Sequence, residues 1–259
     1  MSLWVQESNP AQAATSILFL HGLGVSSWMW QAQVAVLQAQ FHCMTIDLPG
    51  NGESHQVEWR SFQETAAQVA DIIRQRTVKG KAHVVGLSLG GYAGLALLEH
   101  QPEVVDSLIV SGVVARPFPQ PWLWRTMATV IAQFLHWKPL IYANASAMQL
   151  PAEVIPLFMN DMRRLSKTTF LRTYNELLKY QLPATFAQRT QRLLAVAGDK
   201  EVAQIRATVG DFAKRLPNGK AALVPNAHHG WNGEHPELFT TMVRAWVENK
   251  PLPAALNLL

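Results

Sequence analysis

The sequence predicts an α/β fold, a doubly wound and mostly parallel sheet carrying one helical insertion, and three observations point to it. Six short apolar runs alternate with helix-length segments. One junction between them reads Gly86-Leu87-Ser88-Leu89-Gly90-Gly91, and the alternation lapses once, over 115–190. With 259 residues, 49% hydrophobic and 15% charged, the chain can bury one large core, as α/β domains of this size do.

The strand-like runs are 17–20, 42–46, 82–85, 107–110, 193–197 and 221–224, all apolar or nearly so. Strands without polar alternation are expected to be buried on both faces, the mark of a parallel sheet covered by helices on each side. The helical segments are 62–74, 92–100, 202–216 and 237–248. In the third of these, Val202, Ile205, Val209, Phe212 and Leu216 recur at spacings of three and four and make one apolar stripe. Right-handed crossovers then wind the sheet in both directions. Between 115 and 190 helix-length stretches are punctuated by prolines with no convincing strand. The expected organisation is a core of 1–114 and 191–259, with 115–190 as a helical lid leaving the carboxyl edge of the sheet just after Ser111-Gly112.

The Ser88 junction lies between an apolar strand and a helix, where a sharp turn lifts a serine hydroxyl clear of its neighbours. Glycine at 86 and 90 has a steric reason there, because a Cβ at either position would collide in the tight strand-helix turn, while Gly91 lets the helix lie close to the sheet. A serine nucleophile also needs a base, an acid to orient that base, and donors for an oxyanion. Ala227-His228-His229-Gly230 follows the last strand and offers the base; Gly198-Asp199-Lys200-Glu201 follows the preceding one and offers the acid. The other histidines, 21, 42, 55, 83, 100, 136 and 235, read as structural or solvated. Gly112-Val113-Val114, at another strand exit, contains no carboxylate. The oxyanion donors are expected to be the backbone N–H groups of Leu89, at a helix start, and of Leu23, in His21-Gly22-Leu23-Gly24.

Cys43, the only cysteine, lies inside a strand-like run and reads as core, with no intramolecular disulfide to call for an oxidising compartment. No zinc-like Cys/His spacing occurs, and no metal or organic cofactor is expected. Residues 1–10 lack a signal-peptide pattern, and no run approaches the roughly 18 apolar residues of a membrane span, so a cytoplasmic protein without stable membrane insertion is expected. A net charge of +4 without a basic tract excludes nucleic acid as an expected partner; the partner expected is a small-molecule acyl substrate, with the chain a monomer or homodimer.

Taken in order, His21-Gly22-Leu23-Gly24, Asp47-Leu48-Pro49-Gly50-Asn51-Gly52-Glu53-Ser54, the Ser88 turn and the Gly198 and His229 loops resemble the α/β-hydrolase superfamily over nearly the whole chain except 115–190. The resemblance implies a Ser88–Glu201–His229 triad, because the family acid stands three residues after the glycine that ends its strand and the family histidine follows a pair of small residues. Asp199 and His228 remain alternatives. It further implies acyl transfer: Ser88 attacks an ester- or thioester-type carbonyl, and water then hydrolyses the acyl-enzyme. Other members of the superfamily are C–C bond hydrolases or non-catalytic small-ligand receptors, and these are the alternatives.

Two features of 115–190 bear on substrate. Nine basic residues stand against three acidic ones, which either draws in an anionic substrate or solvates the helix faces. Trp122, Trp124, Met127, Phe134, Trp137, Met148, Phe158, Met159 and Met162 either line an acyl pocket or form the segment's own core. A lid whose amphipathic surface meets lipid is the alternative to an acyl pocket.

Overall fold

The computed structural model describes residues 2–8 and 14–259. Its sheet holds eight strands in the order β1-β3-β2-β4-β5-β6-β7-β8. The six inner ones, β2 (Ser16–Leu20), β3 (His42–Ile46), β4 (Ala82–Leu87), β5 (Val105–Ser111), β6 (Arg192–Gly198) and β7 (Gly219–Val224), are mutually parallel and coincide with the six apolar runs. The edges are antiparallel additions that the sequence did not announce: β1 (Val5–Ser8) pairs with β3, and the two-residue β8 (Asn257–Leu258) pairs with β7.

Side-chain alternation divides the core in two. Leu18, Leu20, Val84, Leu108, Val110, Leu193 and Ala195 face helices α2 (Phe62–Arg76), α3 (Leu89–His100) and α8 (Ala203–Arg215). Ile17, Phe19, Val85, Leu87, Ile109, Leu194 and Val196 face α1 (Gln31–Leu37) and α9 (Pro236–Val247). Every one of these strand residues is almost fully buried, which is why the runs lack polar alternation. Cys43 packs in the second layer, where burial pushes its thiol up to about 12. Helix α2 starts at a serine N-cap: Ser61 Oγ accepts the Glu64 N–H at 3.1 Å. In α8 the stripe holds except at Val202, which precedes the helix as its N-cap and is exposed.

Between β5 and β6 the chain forms α4 (Pro121–Gln133), α5 (Lys138–Ala147), α6 (Ile155–Arg164) and α7 (Lys167–Lys179) and no strand. A third apolar cluster, with Leu135, Ile141, Phe158, Met162 and Leu165, joins this segment to Val25 of the loop after β2. Polar contacts fasten it further: Trp28 Nε1 donates to Asp161 at 2.7 Å, Trp59 Nε1 to Glu176 at 2.8 Å, and Arg164 and Arg172 pair with Glu53 and Glu58.

Candidate active site

Because the chain runs from β2 to β3 on one side and then steps back over β2 to β4, the connections after β2 and β4 diverge to opposite faces. A crevice opens between their carboxyl ends, where α/β sheets bind ligands. Ser88 sits at that crevice. It has φ 54 and ψ −116, a conformation that costs a residue bearing a Cβ roughly 1–3 kcal/mol. Its N–H donates to Ser111 O at 2.8 Å and its carbonyl accepts from Tyr92 N–H at 3.1 Å, so both sides of the turn are fixed. The glycines around it have no room for a side chain. A Cβ at Gly86 would overlap the Gly90 carbonyl, one at Gly90 would overlap the Leu20 carbonyl, and one at Gly91 would lie 2.6 Å from Val113 Cγ1.

Leu89 is the first residue of α3, so its N–H has no acceptor within the helix. Leu23 lies in the loop after β2, whose path is held by a lock the sequence did not reveal. His21 is fully buried. Its Nε2 accepts the Leu48 N–H at 2.8 Å, which leaves Nδ1–H to donate to Gly22 O at 2.7 Å. The ring must therefore be neutral, and burial lowers its pKa despite the Asp47 charge. Gly24 N–H donates to Asn51 Oδ1 at 3.2 Å, and Asp47 accepts from Ser27 N–H at 2.8 Å and Glu53 N–H at 2.9 Å. The Asp47–Ser54 motif thus braces the Leu23 loop.

Glu201 and His229 come together at the same edge. The Glu201 side chain is fully buried; Oε1 accepts the Gly198 N–H at 3.1 Å, and Oε2 accepts from His229 Nδ1 at 2.6 Å. That leaves His229 Nε2 available to take a proton. Burial alone would lower the pKa of His229, but the hydrogen bond and the charge of Glu201 outweigh it and the pKa is raised above the ordinary 6.5. The alternatives are placed elsewhere. Asp199 donates its backbone N–H to Val224 O and makes no hydrogen bond or ion pair with His229, while His228 is engaged by Glu234, at 3.0 Å through Nδ1 and 2.9 Å through its backbone N–H.

Gly112 makes the Glu201–His229 pair possible. With φ 68, a Cβ there would lie 2.5 Å from His229 Cε1 and 3.4 Å from Glu201 Oε2, so the strand exit that lacks a carboxylate is also the one that gives the imidazole its space. A second serine-histidine-glutamate row, Ser16 Oγ to His42 Nδ1 at 3.0 Å and His42 Nε2 to Glu7 at 3.2 Å, lies at the opposite, amino ends of β2 and β3. With Ser16 and His42 buried, it ties the edge strand to the sheet.

Ser88 and His229 line one cavity of about 470 Å³, walled mainly by apolar groups such as Trp28, Met29, Met148, Leu150 and Val154. Of the nine apolar residues expected from 115–190, only Met148 reaches it. Phe158 and Met162 are buried between helices, and Trp122, Met127, Phe134 and Trp137 are exposed. The basic residues do not reach it either. The one ionisable side chain of 115–190 at the cavity is Glu153, and Arg116, Arg164 and Arg172 pair with Asp211, Glu53 and Glu58. Among the described residues no cluster of His, Cys, Asp and Glu is placed to hold a metal ion, and no helix is long and apolar enough to cross a membrane.

The model of the alpha/beta hydrolase family matches residues 17–241. The chain belongs to that family. It is 27% identical to a Caulobacter sp. (strain K31) protein named "Putative carbamate hydrolase RutD", over 90% of this chain and 91% of that one. A segment covering 44% of the chain is 35% identical to 42% of the 3-oxoadipate enol-lactonase 1 of Acinetobacter baylyi. In fold, it superposes on a hydrolase from Pseudomonas aeruginosa with a TM-score of 0.80 and 19% identity, covering 95% of this chain and 94% of that structure. The chain is thus a hydrolase of the α/β fold.

Proposed function

We propose that this hydrolase cleaves an ester- or thioester-type small-molecule substrate through an acyl-enzyme on Ser88, with His229 as base, Glu201 as its orienting acid and the backbone N–H groups of Leu23 and Leu89 as the oxyanion hole. The observation that carries the reading is the 2.6 Å contact from His229 Nδ1 to buried Glu201, formed where His229 shares a cavity with strained Ser88. In this reading His229 Nε2 takes the Ser88 proton as Oγ adds to the substrate carbonyl. It gives that proton to the leaving oxygen or sulfur as that bond breaks, then draws a proton from the water that attacks the acyl-enzyme and returns it to Ser88 Oγ as the acyl group leaves. The relatives' names favour a carbonyl bonded to a heteroatom, as a carbamate and a lactone both are, over a C–C bond. The segment 115–190 would act as the lid, since Met148, Leu150 and Val154 wall the cavity.

The test is intact-protein mass spectrometry after exposure to a fluorophosphonate, with p-nitrophenyl esters of increasing acyl length as substrates. Labelling with turnover supports the reading, and labelling without ester turnover redirects it to C–C bonds or a receptor. Acyl chains longer than acetyl should be preferred because the cavity wall is apolar, and a flat chain-length profile would count against the acyl pocket. An ester whose acyl end carries a carboxylate should be poorer than its neutral isostere, and Glu153→Gln should narrow that gap; equal ratios in both proteins would remove Glu153 from specificity.

Glu201→Gln is expected to lower kcat by about 10³- to 10⁴-fold, whereas Asp199→Asn leaves it within a few-fold. Equal losses in the two variants would reopen the choice of acid. Since His229 must be neutral to act, kcat/KM should rise with pH along a limb whose midpoint lies above 6.5, and in Glu201→Gln, where the carboxylate charge is gone, that midpoint should move down. The raised pKa also means that the pair stabilises the fold fully below the unfolded histidine value and loses that contribution as pH climbs through the folded one.

A further inference from the structure

Helix α4 carries its apolar side outward. A helix resting on a globular core normally turns its large apolar residues inward. In α4 the buried positions are Ala128 and Ala132, while Trp122, Leu123, Met127, Val130 and the C-cap Phe134 are 66, 40, 47, 55 and 52% exposed. At about 100° per residue these five fall within one arc of roughly 140°. Trp137 and Tyr142, 58 and 51% exposed, extend the set into α5, and the Phe134 and Trp137 rings lie 6.1 Å apart, so the exposed aromatics form a patch rather than scattered singles.

The segment that forms this patch carries charge of one sign. From Arg116 to Glu153 the chain carries Arg125 and Lys138 and not one Asp or Glu. Unlike Arg116, Arg164 and Arg172, these two cations make no ion pair among the described residues. Lys167 joins them, its Nζ 3.2 Å from Gln133 Oε1 on α4.

We propose that this face rests on the surface of an anionic lipid bilayer. Trp122, Phe134 and Trp137 enter the headgroup region and Arg125 and Lys138 meet lipid phosphates. Amphipathic aromatic side chains favour that boundary, and cations beside an apolar face add attraction to anionic lipid. A second copy of the chain fits less well, because a two-fold contact through this face would gather the cations of both copies on a segment, 117–152, that holds no carboxylate of its own. The association is adsorption, as no helix among the described residues is built to span.

The test is co-sedimentation of the full chain with vesicles of phosphatidylcholine alone and of phosphatidylcholine with phosphatidylglycerol, at low and high salt. Wild type should bind the anionic vesicles, bind the neutral ones weakly, and be released by salt. Trp122→Ser with Phe134→Ser and Trp137→Ser should cut binding about tenfold or more. Arg125→Gln with Lys138→Gln should cut it about tenfold on anionic vesicles alone, with ester turnover in solution unchanged in both variants. Failure of wild type to bind anionic vesicles would overturn the proposal, as would undiminished binding by both variants. So would self-association in sedimentation equilibrium that the serine variant abolishes without any vesicle binding, since the face would then be a contact between copies.

Discussion

Ser88→Ala is expected to abolish fluorophosphonate labelling and to lower ester turnover by roughly 10⁴- to 10⁶-fold, leaving the fold in place. The size follows from what the hydroxyl does in the proposed reaction: without Oγ there is no acyl-enzyme, and only the oxyanion donors and binding remain to speed attack by water. Thermal unfolding should change little, because alanine keeps the Cβ that makes φ 54 costly. Ser88→Gly should be as inactive and yet more stable, by about 1 kcal/mol, since it alone relieves the turn. A Ser88→Ala protein that still turns over esters would remove Ser88 from the chemistry, and with it the proposed mechanism.

Gly90→Ala is expected to cost at least about 3 kcal/mol, or to yield no folded protein, read from the midpoint of urea unfolding. The added methyl would meet the backbone carbonyl of Leu20, in an inner strand of the sheet, and neither β2 nor α3 can give way without disturbing the Leu23 loop beside it. Two other glycines calibrate the effect. Gly233→Ala, with nothing within 4 Å, should be near neutral, and Gly80→Ala, equally open but at φ 63, should lose only about 1 kcal/mol to strain. If Gly90→Ala unfolds at the wild-type midpoint, the close strand-helix packing does not explain the glycine.

The same steric logic separates what could be read along the chain from what could not. The six inner strands announce themselves because both their faces are buried, which demands unbroken apolar runs. The edge strands give no such signal: Val5–Ser8 is polar at three of its four positions and Asn257–Leu258 is two residues long, and each exists because a neighbouring strand offers unpaired backbone groups. Helix α1 has only seven residues, too few for a periodic pattern to stand out. In 115–190 the helices were legible from length and prolines, but the direction of their apolar faces was not. Apolar spacing on α4 suggests a buried side, and the structure turns alanines inward instead.

At the candidate site, the sequence by itself determined the positions where backbone geometry alone restricts the residue: Ser88 among glycines that admit no Cβ, and the loops that a parallel sheet must deliver to its carboxyl edge. Read residue by residue it left Asp199 and Glu201, and His228 and His229, as alternatives, and the family resemblance favoured Glu201 and His229. Tertiary structure brings one of each pair together. The Gly198 N–H and the space above Gly112 draw Glu201 and His229 together, while Glu234 holds His228 aside. Local propensity is a property of a few consecutive residues. Which side chains meet across 28 positions, or across the 120 that separate Ser111 from Trp231, depends on how whole layers pack, and only the folded chain brings those groups within hydrogen-bonding distance.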